Sequence, residues 1–456
     1  MSREEYKSSL KEKIPYSMYA FGQGIVYTLV SQFLMFYYTD YVFLPELVVS
    51  AIMFGGKIWD GVNDTLFGLL MDKIRFKSGK RFIPYLRLSA VIIPVSTVLL
   101  FSVENIEHMG LRITAAILTY VFWDLCYTIS DAPMLALPTV MTTSVKDRST
   151  LMTFLGIGGA AAMALSAIVI PMLFKSRGFF VTGLAVGAVS FVTMMMVSVF
   201  CKERFYSQIE NNRAATLKET WKYLKTNHYL LMFYCYRLVS GIISASMLVY
   251  MAKWCLGDEG ATGTIAVYSM PMIIVIYLMS PFILKKFDKI TVYRVCTVLS
   301  AVMYLVTYLI GYQNKTFVLI AMAVIAALAI LPGIVMGAIP QDCIEYGTFK
   351  SGIRKEGITF ALQSFISKVI AAFASVNAML ILHFTDYDPS LTAQSDTTTS
   401  AIWAGTLLLP MAGMLLGLVF LFAYKLKDRD VQLMSDANKG KITKEEALSQ
   451  MSREYK

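Results

Sequence analysis

The chain has 456 residues, of which 56% are hydrophobic and only 16% charged, with a mean hydropathy of +0.59. Soluble domains carry about 25% charged residues, so the composition excludes an ordinary soluble domain and points to the membrane. The net charge of +10 is not a nucleic-acid footprint, because the basic residues gather in short loops between apolar runs.

In chain order, residues 1–17 form a polar segment of mixed charge with no cleavable signal pattern, expected to be cytoplasmic. Apolar runs long enough to cross a bilayer, about twenty residues each, then recur about twelve times. The first six are about Tyr19–Phe43, Glu46–Met71, Ile83–Val103, Gly110–Met141, Leu151–Phe174 and Phe179–Cys201. The second six are about Tyr229–Trp254, Gly263–Leu284, Thr291–Tyr312, Thr316–Ile339, Ile358–Phe384 and Ala401–Tyr424. A polar central loop, 202–228, separates an N-terminal bundle (18–201) from a C-terminal bundle (229–424). A charged tail, 425–456, is read as a soluble helix or disordered chain without assigned chemistry. Two equal halves around a long loop predict an all-α membrane protein of the major facilitator fold. It would have twelve transmembrane helices in two six-helix bundles, with substrate bound between the halves.

Orientation follows from Lys and Arg. Lys73, Arg75, Lys77, Lys80 and Arg81 follow span two, Lys146 and Arg148 follow span four, and six more fill the central loop. With the groups after spans eight and ten, about twenty basic residues lie on one side, against about four on the other. Both termini are therefore expected in the cytoplasm, with the protein multi-pass in the cytoplasmic (inner) membrane. Cys126, Cys201, Cys235, Cys255, Cys296 and Cys343 form no close pair and are read as free thiols.

Carboxylates inside apolar helices cost roughly 2.5–3.5 kcal/mol on insertion scales, so each needs a reason. Span two carries Asp60, Asn63 and Asp64, with the two acids four residues apart on one face and Lys57 a turn before. Span four carries Asp124, Thr128 and Asp131 at i, i+4 and i+7, with Tyr127 beside them. Asp60, Asn63, Asp64 and Thr128 supply the oxygen ligands that a small hard cation such as Na⁺ wants. The same carboxylates could carry a proton, and the competing reading is a structural cluster neutralised by Lys57. Asp131 suits the vicinal hydroxyls of a sugar, or else an ion pair with Lys368 or Arg237. Lys368, Gln363 and Ser364 lie in span eleven, Arg237 near mid-depth in span seven, and Gln23 in the small-residue patch Gly22–Gly24 of span one. Arg237 is read as a carboxylate anchor or as a paired, snorkelling structural residue.

These residues resemble the glycoside–pentoside–hexuronide:cation symporter family, the melibiose permease-like branch of the major facilitator superfamily. The resemblance runs from about Met18 to Phe384. Its elements are Met35–Asp40, Ile58–Asp64, Ser78–Arg81, Tyr127–Pro133, Lys146–Arg148, Asp342–Gly347 and Gln363–Lys368. It implies cation binding at Asp60, Asn63, Asp64 and Thr128, as Na⁺ ligands if the protein is sodium-coupled. It implies sugar contact at Asp131, with Tyr127, Gln363, Ser364 and Lys368 nearby; Asp124, Gln23 and Arg237 complete the substrate candidates. It also implies that Arg148 and Arg354 join cytoplasmic gating networks with Asp342 and Glu345. The departures lie on the sugar side. Gly24 stands where the melibiose transporter has an acidic ligand, Gln23 where it has Lys, Leu135 for its stacking aromatic and Gly156 for its basic residue.

The expected function is cation-coupled symport of a sugar or glycoside across the cytoplasmic membrane by alternating access, with Na⁺, Li⁺ or H⁺ as coupling ion and no other cofactor. The alternative is a transporter of the same fold for a non-sugar or anionic solute, such as a uronide or a lipid-like molecule. An enzyme is not expected: no nucleophile constellation or His/Glu metal motif appears, and His108, His228 and His383 fall at or near span ends. The expected partners are a small-molecule substrate and the lipid bilayer, with no nucleic acid and a working monomer.

Overall fold

The computed structural model describes residues 7–73, 76, 80–142, 144–204, 224–225, 227–352 and 356–452. Secondary structure among them is helical throughout. Eight helical segments among them are long and apolar enough to cross a membrane, and two of these, Thr150–Phe200 and Lys315–Ser351, are more than one helix long. The chain divides into two compact units. The first comprises residues 1–210, 248–266 and 379–399, and the second comprises 211–247, 267–378 and 400–456. Short pieces of the second sequence half thus group with the first.

In the first unit, the helix Leu10–Asp40 begins well before the apolar run and is buried along most of its length. Glu12, inside the segment read as a polar lead, is only 4% exposed because Arg204 Nη1 pairs with its carboxylate at 2.6 Å. Spans five and six form one continuous helical stretch, Val145–Phe200, interrupted at Gly178 with φ +78°, a conformation that side-chain-bearing residues rarely adopt. Close approach explains the small residues of span one. A Cβ on Gly24 would lie 2.7 Å from the Ala162 Cβ, and one on Gly158 would lie 2.1 Å from the Ser17 carbonyl oxygen. The sequence departure at Gly24 is therefore a packing contact, with no room there for any ligand-bearing side chain. Phe174, Phe179 and Phe101 stack nearly parallel, with ring centroids 4.7 and 5.7 Å apart, and Tyr37 packs against both Phe101 and Phe179. The helix Ile83–Leu100 opens with its backbone donors met from afar: the Glu203 carboxylate accepts from the amides of Arg81, Phe82 and Ile83 at 2.6–2.8 Å.

The second unit is built on an aromatic core that includes Tyr229, Phe233, Tyr234, Tyr236, Tyr293, Tyr346 and Tyr424. Span seven, expected to be continuous, is broken: helix His228–Ile242 ends, and a new helix runs Leu248–Trp254. The freed backbone groups are met by side chain and backbone. Asn377 Nδ2 donates to the Ile242 and Ser244 carbonyls at 2.7 and 2.8 Å, and the Ser246 amide donates to the Ala374 carbonyl at 3.0 Å. The tail is also ordered. Helices Asp428–Asn438 and Lys444–Gln450 fold onto this unit; Lys289 Nζ bridges Asp342 (2.6 Å) and Asp428 (3.5 Å), and Asn438 Nδ2 donates to Glu345 at 2.9 Å.

Candidate functional site

Within the first unit, spans two and four bring their polar residues together. Asn63 Nδ2 donates to Thr128 Oγ1 at 2.9 Å, and Thr128 Oγ1 donates to Asp64 Oδ1 at 3.2 Å. Lys57 Nζ lies 3.8 Å from the Asp60 carboxylate, as the one-turn spacing predicts. Asn63 and Thr128 are buried, each 5% exposed. Asn63, Thr128 and Asp64 are thus linked in one run of hydrogen bonds, with Lys57 beside Asp60.

Asp124, named above among the substrate candidates, lies against this set. One turn before Thr128, it presents Oδ2 at 3.4 Å from Asn63 Nδ2 and is 6% exposed. The i, i+4 relation puts both side chains opposite Asn63. Three carboxylates, an amide and a hydroxyl are therefore gathered here, with Lys57 beside Asp60.

Two turns along, a second group forms on spans one and four. The Gln23 amide donates to Asp131, and Gln23 Oε1 is buried with no hydrogen-bond partner among the described residues. Tyr127 stacks on Trp123, with centroids 5.1 Å apart and planes 26° apart, and Tyr27 lies 5.7 Å away on span one. Gln23 on span one is thus a hydrogen-bond partner of Asp131. Leu135 is exposed and a Cβ at Gly156 would meet nothing within 4 Å, so neither replacement for the melibiose transporter's residues is a packing requirement.

In the second unit, Arg237 Nη2 donates to Ser367 Oγ at 3.1 Å, and Ser367 Oγ donates on to the Gln363 carbonyl at 3.0 Å. Lys368 is half-buried and Ser364 exposed on the same helix.

The residues named for gating lie in both units. Arg148 donates to the backbone carbonyls of Thr142 (3.1 Å) and Thr139 (3.4 Å), while Asp342 pairs with Lys289 and Glu345 with Asn438. Arg354 lies outside the described residues. Beside Arg148, Asp147 binds Lys13 Nζ at 2.8 Å and the Ser8 amide and hydroxyl at 2.7 Å each. Burial opposes its charge, but these donors outweigh it and hold the carboxyl below its usual range.

A cluster the sequence reading missed closes span one. Asp40 accepts from Lys253 Nζ (2.8 Å), Tyr387 Oη (2.6 Å) and Thr39 Oγ1 (2.6 Å), and its side chain is fully buried. Lys253 also approaches Glu259 at 3.4 Å and lies over the ring of Trp254. Only the lone acid at the end of an apolar run could have signalled it; Lys253 and Tyr387 lie more than 200 residues away.

Comparison with known proteins places the chain among transporters. The family model described as "MFS/sugar transport protein" matches residues 15–428. The uncharacterized symporter YjmB of Bacillus subtilis is 28% identical over 446 residues, covering 95% of this chain and 96% of the relative. The isoprimeverose transporter of Lactiplantibacillus pentosus is 25% identical, covering 96% and 93%. Among solved structures, a D-xylose-proton symporter superposes with a TM-score of 0.63 at 10% identity, covering 91% of this chain and 98% of that one, which shows the fold.

Proposed function

The chain belongs to the MFS sugar transport family, and from that premise we propose that it is a cation-coupled symporter of a sugar or glycoside. It is a multi-pass membrane protein, and the proposal places it in the bacterial cytoplasmic membrane with both termini inside. The basic loops support that orientation.

The observation that carries the reading is the chain of contacts from Asn63 through Thr128 to Asp64, with Asp60 and Asp124 in the same group. Hard oxygen donors gathered in an apolar bundle fit a small monovalent ion or a proton. Binding of that ion offsets the acids' mutual repulsion and so favours the conformation that spans two and four must adopt together. Thr128 and Asp131 sit on one face of span four, one turn apart. Asp131, with Gln23 and the Tyr127–Trp123 platform, presents hydrogen-bonding and stacking groups suited to a sugar ring. A shift of span four that tightens the ion site therefore also positions Asp131. Each ligand raises the affinity for the other, which is what cotransport by alternating access requires. The relatives named as a symporter and an isoprimeverose transporter support the same reading.

The test is uptake into proteoliposomes holding the full chain. Inward gradients of Na⁺, Li⁺ or H⁺, imposed one at a time, are expected to drive accumulation of at least one member of a glycoside and pentoside panel. Uptake that merely equilibrates, identical with and without each gradient, would rule out coupling.

A further inference from the structure

We propose that Tyr27 on span one is the stacking residue of the substrate site and, with Ser31 one turn further on, decides which sugar rings are accepted. This rests on the transport reading above and adds a specificity-determining face to it.

Three observations within the first unit carry it. First, span one inverts the pattern of a lipid-facing helix. Between Tyr19 and Asp40 the exposed residues are Tyr27, Ser31 and Gln32, while Val26, Leu29, Val30, Phe33 and Leu34 among them are buried. A face turned to lipid would show the aliphatic side chains and hide the polar ones. Ser31 stands at the middle of the apolar run Tyr19–Phe43, where hydrocarbon would offer its hydroxyl no hydrogen bond. The exposed strip therefore faces water at mid-membrane depth, the level at which transporters of this fold bind substrate.

Second, Tyr27 presents the open ring of an aromatic run. Its ring lies 5.7 Å from that of Tyr127, which lies 5.1 Å from that of Trp123. Trp123 is only 4% exposed and Tyr127 is half-buried, whereas Tyr27 is 47% exposed. A ring stacks on a ligand only through surface that the protein leaves open, so the platform is offered by Tyr27 and backed by the rings behind it. Contact with Tyr127 restrains the Tyr27 ring, which lowers the ordering cost of stacking. Span four offers the aliphatic Leu135 where the melibiose transporter has its stacking aromatic; here span one supplies the aromatic ring.

Third, hydrogen-bonding groups stand one turn from that ring. Gln23 precedes Tyr27 by four residues, on the same side of the helix and about 6 Å along its axis. It donates to Asp131, and its Oε1, in a residue 2% exposed, has no hydrogen-bond partner among the described residues. A sugar ring laid with its C–H face on Tyr27 gives a hydroxyl proton to this acceptor and turns its far edge toward Ser31. Tyr27 thereby reads stereochemistry. A hydroxyl projecting from the stacked face is pressed against the aromatic ring without a partner, which costs affinity.

The experiment measures uptake by proteoliposomes of the full chain under a saturating cation gradient, with methyl glucoside, methyl galactoside, methyl mannoside and methyl xyloside as probes. Tyr27→Leu is expected to raise the KM of the best probe about tenfold and to flatten the discrimination among the four. The half-saturating cation concentration should change less than about twofold, which separates a lost platform from a damaged fold. Tyr27→Phe keeps the ring and should stay within about threefold of wild type. A Tyr27→Leu variant with wild-type KM and discrimination, or a Tyr27→Phe variant as impaired as Tyr27→Leu, overturns the inference and leaves cation-driven uptake standing. A second measurement leaves Tyr27 in place. In purified Ser31→Cys, a charged methanethiosulfonate should react above the wild-type background, and the best probe at saturation should slow that reaction about fivefold. No reaction, or a reaction the probe leaves unchanged, overturns the inference as well. Gradient-driven uptake of no probe by the wild type would overturn both the inference and the symport reading.

Discussion

Asp40 and Asp124 are both buried acids on long apolar helices, yet the molecule treats them oppositely. Asp40 is saturated: an ammonium and two hydroxyls donate to it within 2.8 Å. Asp124 has one amide contact, at 3.4 Å, and shares its surroundings with two further carboxylates. The first arrangement is a clamp in which the carboxylate meets an ammonium and two hydroxyls directly. The second gathers three carboxylates around one amide and one hydroxyl, the arrangement proposed here to take up a mobile cation. The contrast shows that a costly intramembrane acid can be met by donors from its own fold, as Asp40 is, so burial of an acid alone does not mark an ion path.

Breaking the clamp should have the largest effect. Lys253→Met strands the Asp40 carboxylate in a buried site, and loss of one partner of a buried pair costs about 3–5 kcal/mol. A strongly lowered unfolding midpoint in detergent is expected. A midpoint unchanged from wild type would mean that Asp40 is not held as a charge pair.

The open site should respond in function instead. Asp124→Asn is expected to weaken the apparent cation affinity of uptake about tenfold, roughly 1.4 kcal/mol, with substrate KM at saturating cation changed less than twofold. The reverse pattern, a shifted KM at unchanged cation affinity, would return Asp124 to the substrate side.

The smallest effect sharpens the comparison at a third acid. Asp147 is held below the usual carboxylate range by Lys13 and Ser8, so its contribution is present above the unfolded-state pKa and fades as pH falls through the lower folded value. Asp147→Asn should cost about 1 kcal/mol of stability at pH 7, measured by denaturation, and the gap from wild type should narrow as pH falls below the ordinary carboxylate range. A gap that is constant across pH would place the loss in packing, not charge.

How much of this was legible in the sequence follows from the range of the physics involved. The spans, the face shared by Asp60, Asn63 and Asp64, and the i, i+4, i+7 row on span four are local periodicities, and the structure keeps them. The contact of Thr128 with span two was within reach because both helices carried polar groups that hydrocarbon would not satisfy. What stayed hidden depended on contacts far along the chain. Asp40 meets Lys253 and Tyr387, Glu12 meets Arg204, and Glu203 caps the helix at Ile83. Each acid was visible, but nothing in its neighbourhood names the partner. The break after Ile242 was invisible for a related reason: its stretch is apolar and without proline, and the residue that sustains the gap, Asn377, lies four spans later. Gly24 looked like a lost ligand and is a point of helix contact, a distinction only the opposing Ala162 reveals.

The central claim is that the acids of spans two and four hold the coupling ion. Calorimetric titration of the purified full chain with Na⁺ and with Li⁺, alongside proton uptake in weakly buffered solution, tests it directly when wild type is compared with Asp64→Asn. The account predicts saturable binding of at least one of the three ions in the wild type and its loss in the variant. Saturable binding of the same ion with undiminished affinity in Asp64→Asn would contradict it.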